Sequence, residues 1–274
     1  MPQTTSPHRP ARRVLRLLAL AAGTVALAAA HAEEPLATDR PDTVESADVV
    51  GRGRVQIETG YARERDESAG VRATARTVPT LVRLGVSERL EVRVESDTRT
   101  RVRVEDPSGA TAHLSGTADA SIGIKWRQQD DDPATRRPAI AWLAHLDLDT
   151  GSAPFRGHGV RPSLRMVAAW DLPNDWSLGV MPGLFADRDE ADRRFVGGIL
   201  AVTAGKGWTD RFGTFVEVAA EQIARSRHGG SVVMLDVGAT YLLTDSMQVD
   251  TAFSHGLNRN APDRRWTVGF SVRF

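Results

Sequence analysis

Ten residues, 265–274, constrain what this chain can fold into more than any others. Trp266, Val268, Phe270, Val272 and Phe274 alternate with Thr267, Gly269, Ser271 and Arg273, and in an extended strand that period of two puts every apolar side chain on one face. In a soluble sheet such a face needs a covering core layer, and no helical pattern after residue 32 supplies one. In a membrane barrel the lipid is that layer, and aromatic residues sit at its borders. The slightly polar mean hydropathy of −0.29 is compatible with this, because strands that alternate dilute their apolar residues to about half.

Residues 1–32 have the pattern of an export signal. Arg9, Arg12, Arg13 and Arg16 form a basic start, residues 17–29 an apolar stretch, and Ala30-His31-Ala32 a small-x-small cleavage site. The stretch is shorter than the about 20 residues that a spanning helix needs, so cleavage is expected rather than anchoring. General secretion is the expected route, because a barrel must stay unfolded until it inserts. Losing these four arginines takes the charge balance from 35 basic against 35 acidic residues to 31 against 35. That mild acidity gives no reason to expect a nucleic-acid partner. Without cysteine the chain has neither disulfides nor thiolate metal ligands.

Residues 33–53 are polar and carry Thr38-Asp39-Arg40-Pro41-Asp42-Thr43, where proline and paired charges argue against a strand. Alternation then begins and continues to the end. Val55, Ile57, Thr59 and Tyr61 oppose Glu58 and its neighbours; Val78, Thr80, Val82 and Leu84 oppose Arg83. Leu90, Val92 and Val94 oppose Glu91, Arg93 and Glu95, and this third strand extends through Arg99, Arg101 and Arg103. The fourth sets Ile122, Ile124 and Trp126 against Asp119, Lys125 and Arg127, and the fifth Ile140, Trp142 and Leu146 against His145, Asp147 and Asp149. Arg161 and Arg165 face away from Leu164, Met166 and Trp170. Trp176, Leu178, Val180 and Leu184 share a face of the seventh strand. The eighth, residues 195–205, is apolar on both sides and its facing stays open. Glu217 and Glu221, then Asp236, then Asp250 mark the polar faces of the ninth to eleventh, and residues 265–274 make the twelfth.

Twelve is an even number, as single-chain bacterial barrels require. Connections after strands two, six, eight and ten are tight. Those at 65–74, 105–113, 150–160, 187–194, 225–230 and 257–264 are longer and polar, and 130–138 is the exception on the tight side. Short turns toward the periplasm and long ones outside is the ordinary asymmetry, which places both termini in the periplasm. The expected fold is therefore all-β: a transmembrane, antiparallel, up-and-down β-barrel over 54–274, preceded by a polar periplasmic segment at 33–53. Such a cylinder is roughly 25 Å across, with a lumen of roughly 10 Å.

The expected lumen lining is Glu58, Arg83, Glu91, Arg93, Glu95, Asp119, Lys125, Arg127, His145, Asp147, Arg161, Arg165, Glu217, Glu221, Asp236, Asp250 and Arg273. Opposed acidic and basic strips would filter solutes by size and charge, or would close the barrel with a salt-bridge network; both readings stay open. Asp39, Arg40 and Asp42 form either a partial plug at the periplasmic mouth or an unstructured lead-in. Of the cations, 33 of 35 are arginine, so arginine abundance by itself does not indicate an anionic substrate. Ser254-His255 with Asp250 invites a hydrolase reading, but adjacent strand residues point to opposite faces. His145, Asp147 and Asp149 share a face yet span about 13 Å, too far for one ion. No catalytic residue, metal or cofactor is expected.

Gly269, Val272 and Phe274 resemble the C-terminal signal read by the outer-membrane assembly machinery. Thr38-Asp39-Arg40-Pro41-Asp42-Thr43 leading into Gly53-Arg54-Val55-Gln56-Ile57-Glu58-Thr59-Gly60-Tyr61 resembles outer-membrane transporters associated with the meta-cleavage pathway of phenol degradation. Further matches follow at Gly116-Thr117-Ala118-Asp119-Ala120-Ser121-Ile122-Gly123-Ile124-Lys125-Trp126, Leu146-Asp147-Leu148-Asp149-Thr150-Gly151, Phe215-Val216-Glu217 and the run from Leu235 through Asp245. Asp149 stands where the family usually has proline, a departure confined to a loop. The resemblance implies a monomeric, porin-like barrel linked to uptake of aromatic compounds. The expected partners are outer-membrane lipid and lipopolysaccharide, the assembly machinery and small solutes. The expected function is passive uptake of small solutes across the outer membrane of a Gram-negative cell. A closed structural or surface-interaction barrel and a barrel lipid hydrolase are the alternatives.

Overall fold

A computed structural model of the chain describes residues 35–189 and 191–274. The export-signal pattern of residues 1–32 lies outside them. Fifteen strands are present: β1 (Val55–Ser68), β2 (Val71–Thr77), β3 (Pro79–Ser87), β4 (Leu90–Asp97), β5 (Thr100–Glu105), β6 (Thr111–Gly116), β7 (Ala120–Gln129), β8 (Ala139–Leu148), β9 (Arg161–Leu172), β10 (Trp176–Arg188), β11 (Arg194–Gly207), β12 (Phe212–Ile223), β13 (Val232–Thr244), β14 (Met247–Gly256) and β15 (Arg264–Arg273).

Twelve of them, β1, β3, β4 and β7 to β15, are the staves of one antiparallel barrel, which closes where β15 pairs with β1 from Gln56↔Arg273 to Arg65↔Arg264. The twelve staves match the sequence reading. Strands β2, β5 and β6 continue staves two to four beyond breaks at Val78, at Thr98-Arg99 and at Thr117-Ala118-Asp119, and pair as β1-β2-β5-β6 in a fan at the long-loop end. Of two connections expected as loops, 65–74 is thus largely ladder, and 105–113 is reduced to a loop at 106–110. β1 turns into β2 through Ala69-Gly70, both at positive φ (51° and 80°), the conformation that two-residue hairpin turns need. Outside hydrocarbon both faces of a strand are wet, so no apolar alternation marks it. Arg99, Arg101 and Arg103, expected to extend the lumen wall, instead lie at or beyond this break, and Arg101 and Arg103 are exposed. The eighth stave, β11, turns Ala201 inward and Val196, Leu200 and Val202 outward, with a register shift opposite β12 between Gly198 and Leu200.

Burial is inverted relative to a soluble protein. Arg83 and Lys125 have 0% exposure and Arg93 has 1%, while Trp126, Trp266 and Val237 are each 47% exposed. The only helices among the described residues are single 3-10 turns, Ala153–Phe155 and Ser226–His228, so none of the described elements covers the apolar outer face. Trp126 and Trp142 pair across β7 and β8 toward the short-turn end. Tyr61, Phe253 and Trp266 lie toward the other end, and indole N–H groups of Trp142 and Trp266 donate to Gln128 and Thr251 at 2.6 and 3.2 Å. These are the borders at which amphipathic rings meet both hydrocarbon and water.

Val237 lies mid-strand on the outer face between Val216 and Phe253. Val237→Arg should destabilise the barrel by about 2–4 kcal/mol, the cost of a cation near the bilayer midplane, as measured by folding equilibria into phospholipid vesicles.

Candidate functional site

The lumen is occupied by the chain itself. Residues 35–53, expected at the mouth, rise into the barrel from the short-turn end and return to it. On entry the Leu36 amide donates to the Asp245 carbonyl in the β13–β14 turn (2.8 Å), and Gln248 Nε2 donates to Thr38 Oγ1 (2.8 Å). At the far point the Thr43 and Val44 amides donate to the Glu217 carboxylate at 2.7 and 2.8 Å. On the way out the Val50 amide donates to Glu91 Oε2 (2.9 Å). A proline-interrupted loop cannot satisfy its own amides by strand pairing, so inward carboxylates of the wall accept from them.

One side of this loop carries the charge. Asp39 receives Lys125 Nζ at 2.7 Å, Arg93 at 3.0 Å and Arg83 at 3.3 Å. Glu45 receives Arg93 at 2.5 Å and Arg165 at 3.0 Å. Arg83 also grips Glu91 with two nitrogens, at 2.8 and 3.0 Å, and Glu58 with a third, at 3.0 Å. Four carboxylates thus face four cations, and the pairs are short enough to offset the desolvation that burial imposes. Arg127 holds Asp48 at 2.8 Å nearer the mouth. Arg40 reaches Asp250 at 3.4 Å through a slot between β1 and β15. Gly60 and Gly269 face each other there. A Cβ on either would come within 2.7 Å of the Arg40 guanidinium group, so residue 269 has a packing role in addition to its place in the C-terminal pattern.

The opposite side of the loop is greasy. Val44 and Ala47 pack with Ala139, Ala141, Leu143, Val167, Met181, Ala201 and Ala219, which line β8 to β12. An amphipathic loop therefore sits in an amphipathic lumen, its main charge cluster toward β1, β3, β4 and β7 and its apolar contacts toward β8 to β12.

Above the loop, at the long-loop end, lies a vestibule of about 760 Å³ whose floor is Asp39, Arg40, Asp42, Thr43 and Glu45. Glu95 and Asp97 of β4, Asp119 and Asp147 line it beside Arg161 and Arg165 of β9 and Arg188 of β10, Arg161 being bonded to Asp119 and in register with Asp147. The β8–β9 loop is tied into it by Asp119, which accepts from the Gly151 and Gly157 amides and from Arg161, each at 2.8 Å. A smaller cavity of about 390 Å³ lies between Arg40-Pro41 and the inner faces of β1, β2, β14 and β15.

The predicted residues distribute across these features. His145 pairs with Glu95 at 2.9 Å rather than gathering Asp147 and Asp149, and among the described residues no three His, Cys, Asp or Glu side chains form a metal-binding group. Asp236 stands beside Glu217 across β12 and β13, and Arg273 is buried on the inner face. Glu221 takes two bonds from Arg265, at 2.6 and 3.1 Å, and Arg265 also reaches Glu64 at 3.1 Å. Arg265 and Glu64 were absent from the predicted lining, although the parity of Arg265 with Thr267 marks its face. Glu45 and Asp48 were missed too, because nothing in an irregular segment says which side chains meet a wall. Ser254 is buried on the inner face, whereas His255 is exposed and its Nδ1 lies 3.1 Å from the Asp263 carbonyl, which can only accept.

Arg93→Ala leaves Asp39 and Glu45 facing a lost cation and should weaken docking of the loop by about 3–5 kcal/mol, read as faster hydrogen exchange at residues 36–50. Two loop carboxyls titrate in opposite senses. Burial alone would raise Glu45, but Arg93, Lys125 and Arg165 together hold it at about 2; its contribution is complete above the ordinary carboxylate range and is lost as pH falls toward 2. Burial, then the facing Glu217, push Asp42 well above its ordinary value, so its contribution is present in acid and is lost as pH rises through that raised value. Exchange protection of the loop should therefore fall as pH drops toward 2 and fall again as pH rises through the raised Asp42 value. Glu45→Gln should flatten the first limb and Asp42→Asn the second.

Comparison with known structures places this architecture among outer-membrane proteins. The COG4313 outer membrane channel from Pseudomonas putida F1 superposes with a TM-score of 0.62 at 12% identity, over 84% of this chain and 98% of that one. The KdgM porin in complex with disordered oligogalacturonate gives 0.52 at 10%, over 80% and 99%. The β domain of the Bordetella autotransporter BrkA gives 0.52 at 11%, over 80% and 99%. At these identities the likeness is one of fold: an outer-membrane β-barrel of the channel type. No curated protein sequence matches the chain. A family model does match, over residues 38–274, which takes in both the luminal loop and every stave, and the chain belongs to the family described as "Putative MetA-pathway of phenol degradation".

Proposed function

We propose that this protein is a diffusion channel for small solutes whose luminal loop sets the width of the path. The long loops face the exterior and both termini the periplasm of a Gram-negative cell, which the chain reaches by a cleaved signal peptide. The observation that carries the reading is the vestibule. A concavity of about 760 Å³, lined by carboxylates on the β4 to β8 side and by arginines of β9 and β10, ends on a floor held by ion pairs, hydrogen bonds and the packing of Val44 and Ala47. A charged lining of that kind selects among polar solutes. The alanine-rich wall of β8 to β12 behind Val44 supports an aromatic or otherwise apolar cargo once the loop shifts, in keeping with the phenol-degradation association of the family. Membrane lipid and the transported solute are its partners, and it performs no catalysis.

The density of ion pairs around Asp39 and Glu45 favours a second reading, a barrel that stays shut and serves the membrane as structure. Planar-bilayer recording separates the two. The intact protein should conduct weakly, and a variant with residues 36–50 replaced by a glycine-serine linker should conduct several times more. Silence from both proteins would remove the channel reading.

A further inference from the structure

We propose that the outward face of the β1-β2-β5-β6 fan, together with the adjoining ends of β14 and β15, is a binding site for the phosphorylated headgroup of an outer-leaflet glycolipid, a lipid A type amphiphile with two phosphates. The proposal rests on the orientation given above, long loops outward.

Cross-strand register brings the site together. On the outer face, one row across the sheet reads Phe253, Trp266, Arg63, Arg76, Arg101, and the next reads His255, Arg264, Arg65, Thr74, Arg103, His113. Arg63 stands directly opposite Arg76, Arg76 opposite Arg101, and Arg65 opposite Arg264. Like charges directly opposite in a sheet destabilise it, so two consecutive rows of cations call for an anion. The third row shows what self-compensation looks like. There Glu67, Arg72 and Glu105 alternate, and Glu105 pairs with Arg72 at 3.4 Å and Arg103 at 3.2 Å. Among the described residues Arg63, Arg65, Arg76, Arg101 and Arg264 have no carboxylate partner within 4 Å, and Arg63 Nε is buried without a hydrogen-bond partner. The surface is also concave: a cavity of about 710 Å³ is lined by five arginines, Arg63, Arg65 and Arg264 among them, and by Asp66, Glu67, Glu105 and Asp263, of which Glu105 is already paired with Arg72 and Arg103.

The apolar half of the ligand follows from what lies beneath. On β15 the outward residues run Phe270, Val268, Trp266 and then Arg264; on β14 they run Val249, Thr251, Phe253 and then His255; on β1 they run Ile57, Thr59, Tyr61 and then Arg63. β1 and β15 pass from an acyl-facing stripe through an aromatic ring to an arginine within two residues, and β14 passes in the same way to His255. A tail laid on the stripe puts its headgroup at the arginines, whose planar forks suit phosphate. A soluble anion would have no use for the stripe.

Native mass spectrometry of the detergent-purified protein tests this, using hexa-acylated lipid A, its monophosphoryl form, phosphatidylglycerol and free pyrophosphate as probes. Lipid A should bind best, the monophosphoryl form more weakly, and pyrophosphate weakest. Arg65→Gln with Arg264→Gln should weaken lipid A binding by roughly tenfold or more, while Arg136→Gln with Arg137→Gln, a charge-matched change at the short-turn end, should leave it intact. Equal lipid A binding by both variants would overturn the site. Pyrophosphate binding as tight as lipid A would overturn the lipid. Preference for phosphatidylglycerol, lost in the Arg65/Arg264 variant, would overturn the glycolipid assignment and the outward orientation with it. Conductance of the Arg65/Arg264 variant should equal that of the unaltered protein, so a failed channel reading shows in the recordings and a failed lipid reading in the spectra.

Discussion

Every feature of this barrel follows from one constraint: hydrocarbon offers no hydrogen bonds. A backbone that crosses a bilayer must pair all its N–H and C=O groups internally, and a sheet does so only when its first and last staves meet. Here β1 and β15 meet along ten residues, Gln56 to Arg65 against Arg273 to Arg264. Once the sheet is closed, alternation sends half of all side chains to lipid and half inward. The polar half, which in a soluble protein would face bulk water, is confined to a space only about 10 Å wide. Arg83, Arg93 and Lys125 lose their solvent exposure, and each needs a carboxylate within reach. Wall carboxylates supply part of that need and the loop at 35–53 supplies the rest, through Asp39 and Glu45.

How the loop is held bears on how it can move. Its ion pairs are linked: Arg93 joins Asp39 to Glu45, and Arg83 joins Asp39 to Glu58 and Glu91. Removing one partner from such a buried set strands its neighbours, so partial release is disfavoured. Withdrawal exposes the whole charged wall to entering water at once, together with the alanine-rich wall opposite. On the channel reading proposed above, linkage of this kind favours two states, docked and free, over a continuum between them. That is the form a gate requires.

The staves were legible because lipid enforces a period of two, and wherever it does the sequence predicts facing correctly, from Val82 and Arg83 in β3 to Phe270 and Ser271 in β15. Legibility stops where lipid stops. At Glu64-Arg65-Asp66-Glu67 both faces are polar, and a hydrogen-bonded ladder looks like a loop. In β11 both faces are apolar, because the inner one belongs to the greasy half of the lumen, and Ala201 turns inward only by virtue of its neighbours. The candidate site was half visible. Wall residues such as Glu217 and Lys125 follow from parity, but their partners Thr43, Val44 and Asp39 sit in a segment without period. Only tertiary structure tells which carboxylate of Asp39, Asp42, Glu45 and Asp48 meets which cation.

The two rims of the barrel solve different problems. At the short-turn end Trp126, Trp142, Trp176 and Trp208 ring the border, and the one nearby lysine, Lys206, lies 6.0 and 5.8 Å from the centres of the Trp176 and Trp208 rings. Its ammonium group also approaches Asp175 at 3.6 Å, so the charge is matched by protein. At the long-loop end the border is followed by arginine rows that protein leaves uncompensated. A symmetric bilayer would give no reason for one rim to keep arginines such as Arg52, Arg136 and Arg211 in turns and bends and the other to set them face to face across a ladder, since like charges cost stability wherever they face one another. An asymmetric membrane with phosphate concentrated in one leaflet gives such a reason, and it supports the long-loop end as the one in contact with that leaflet.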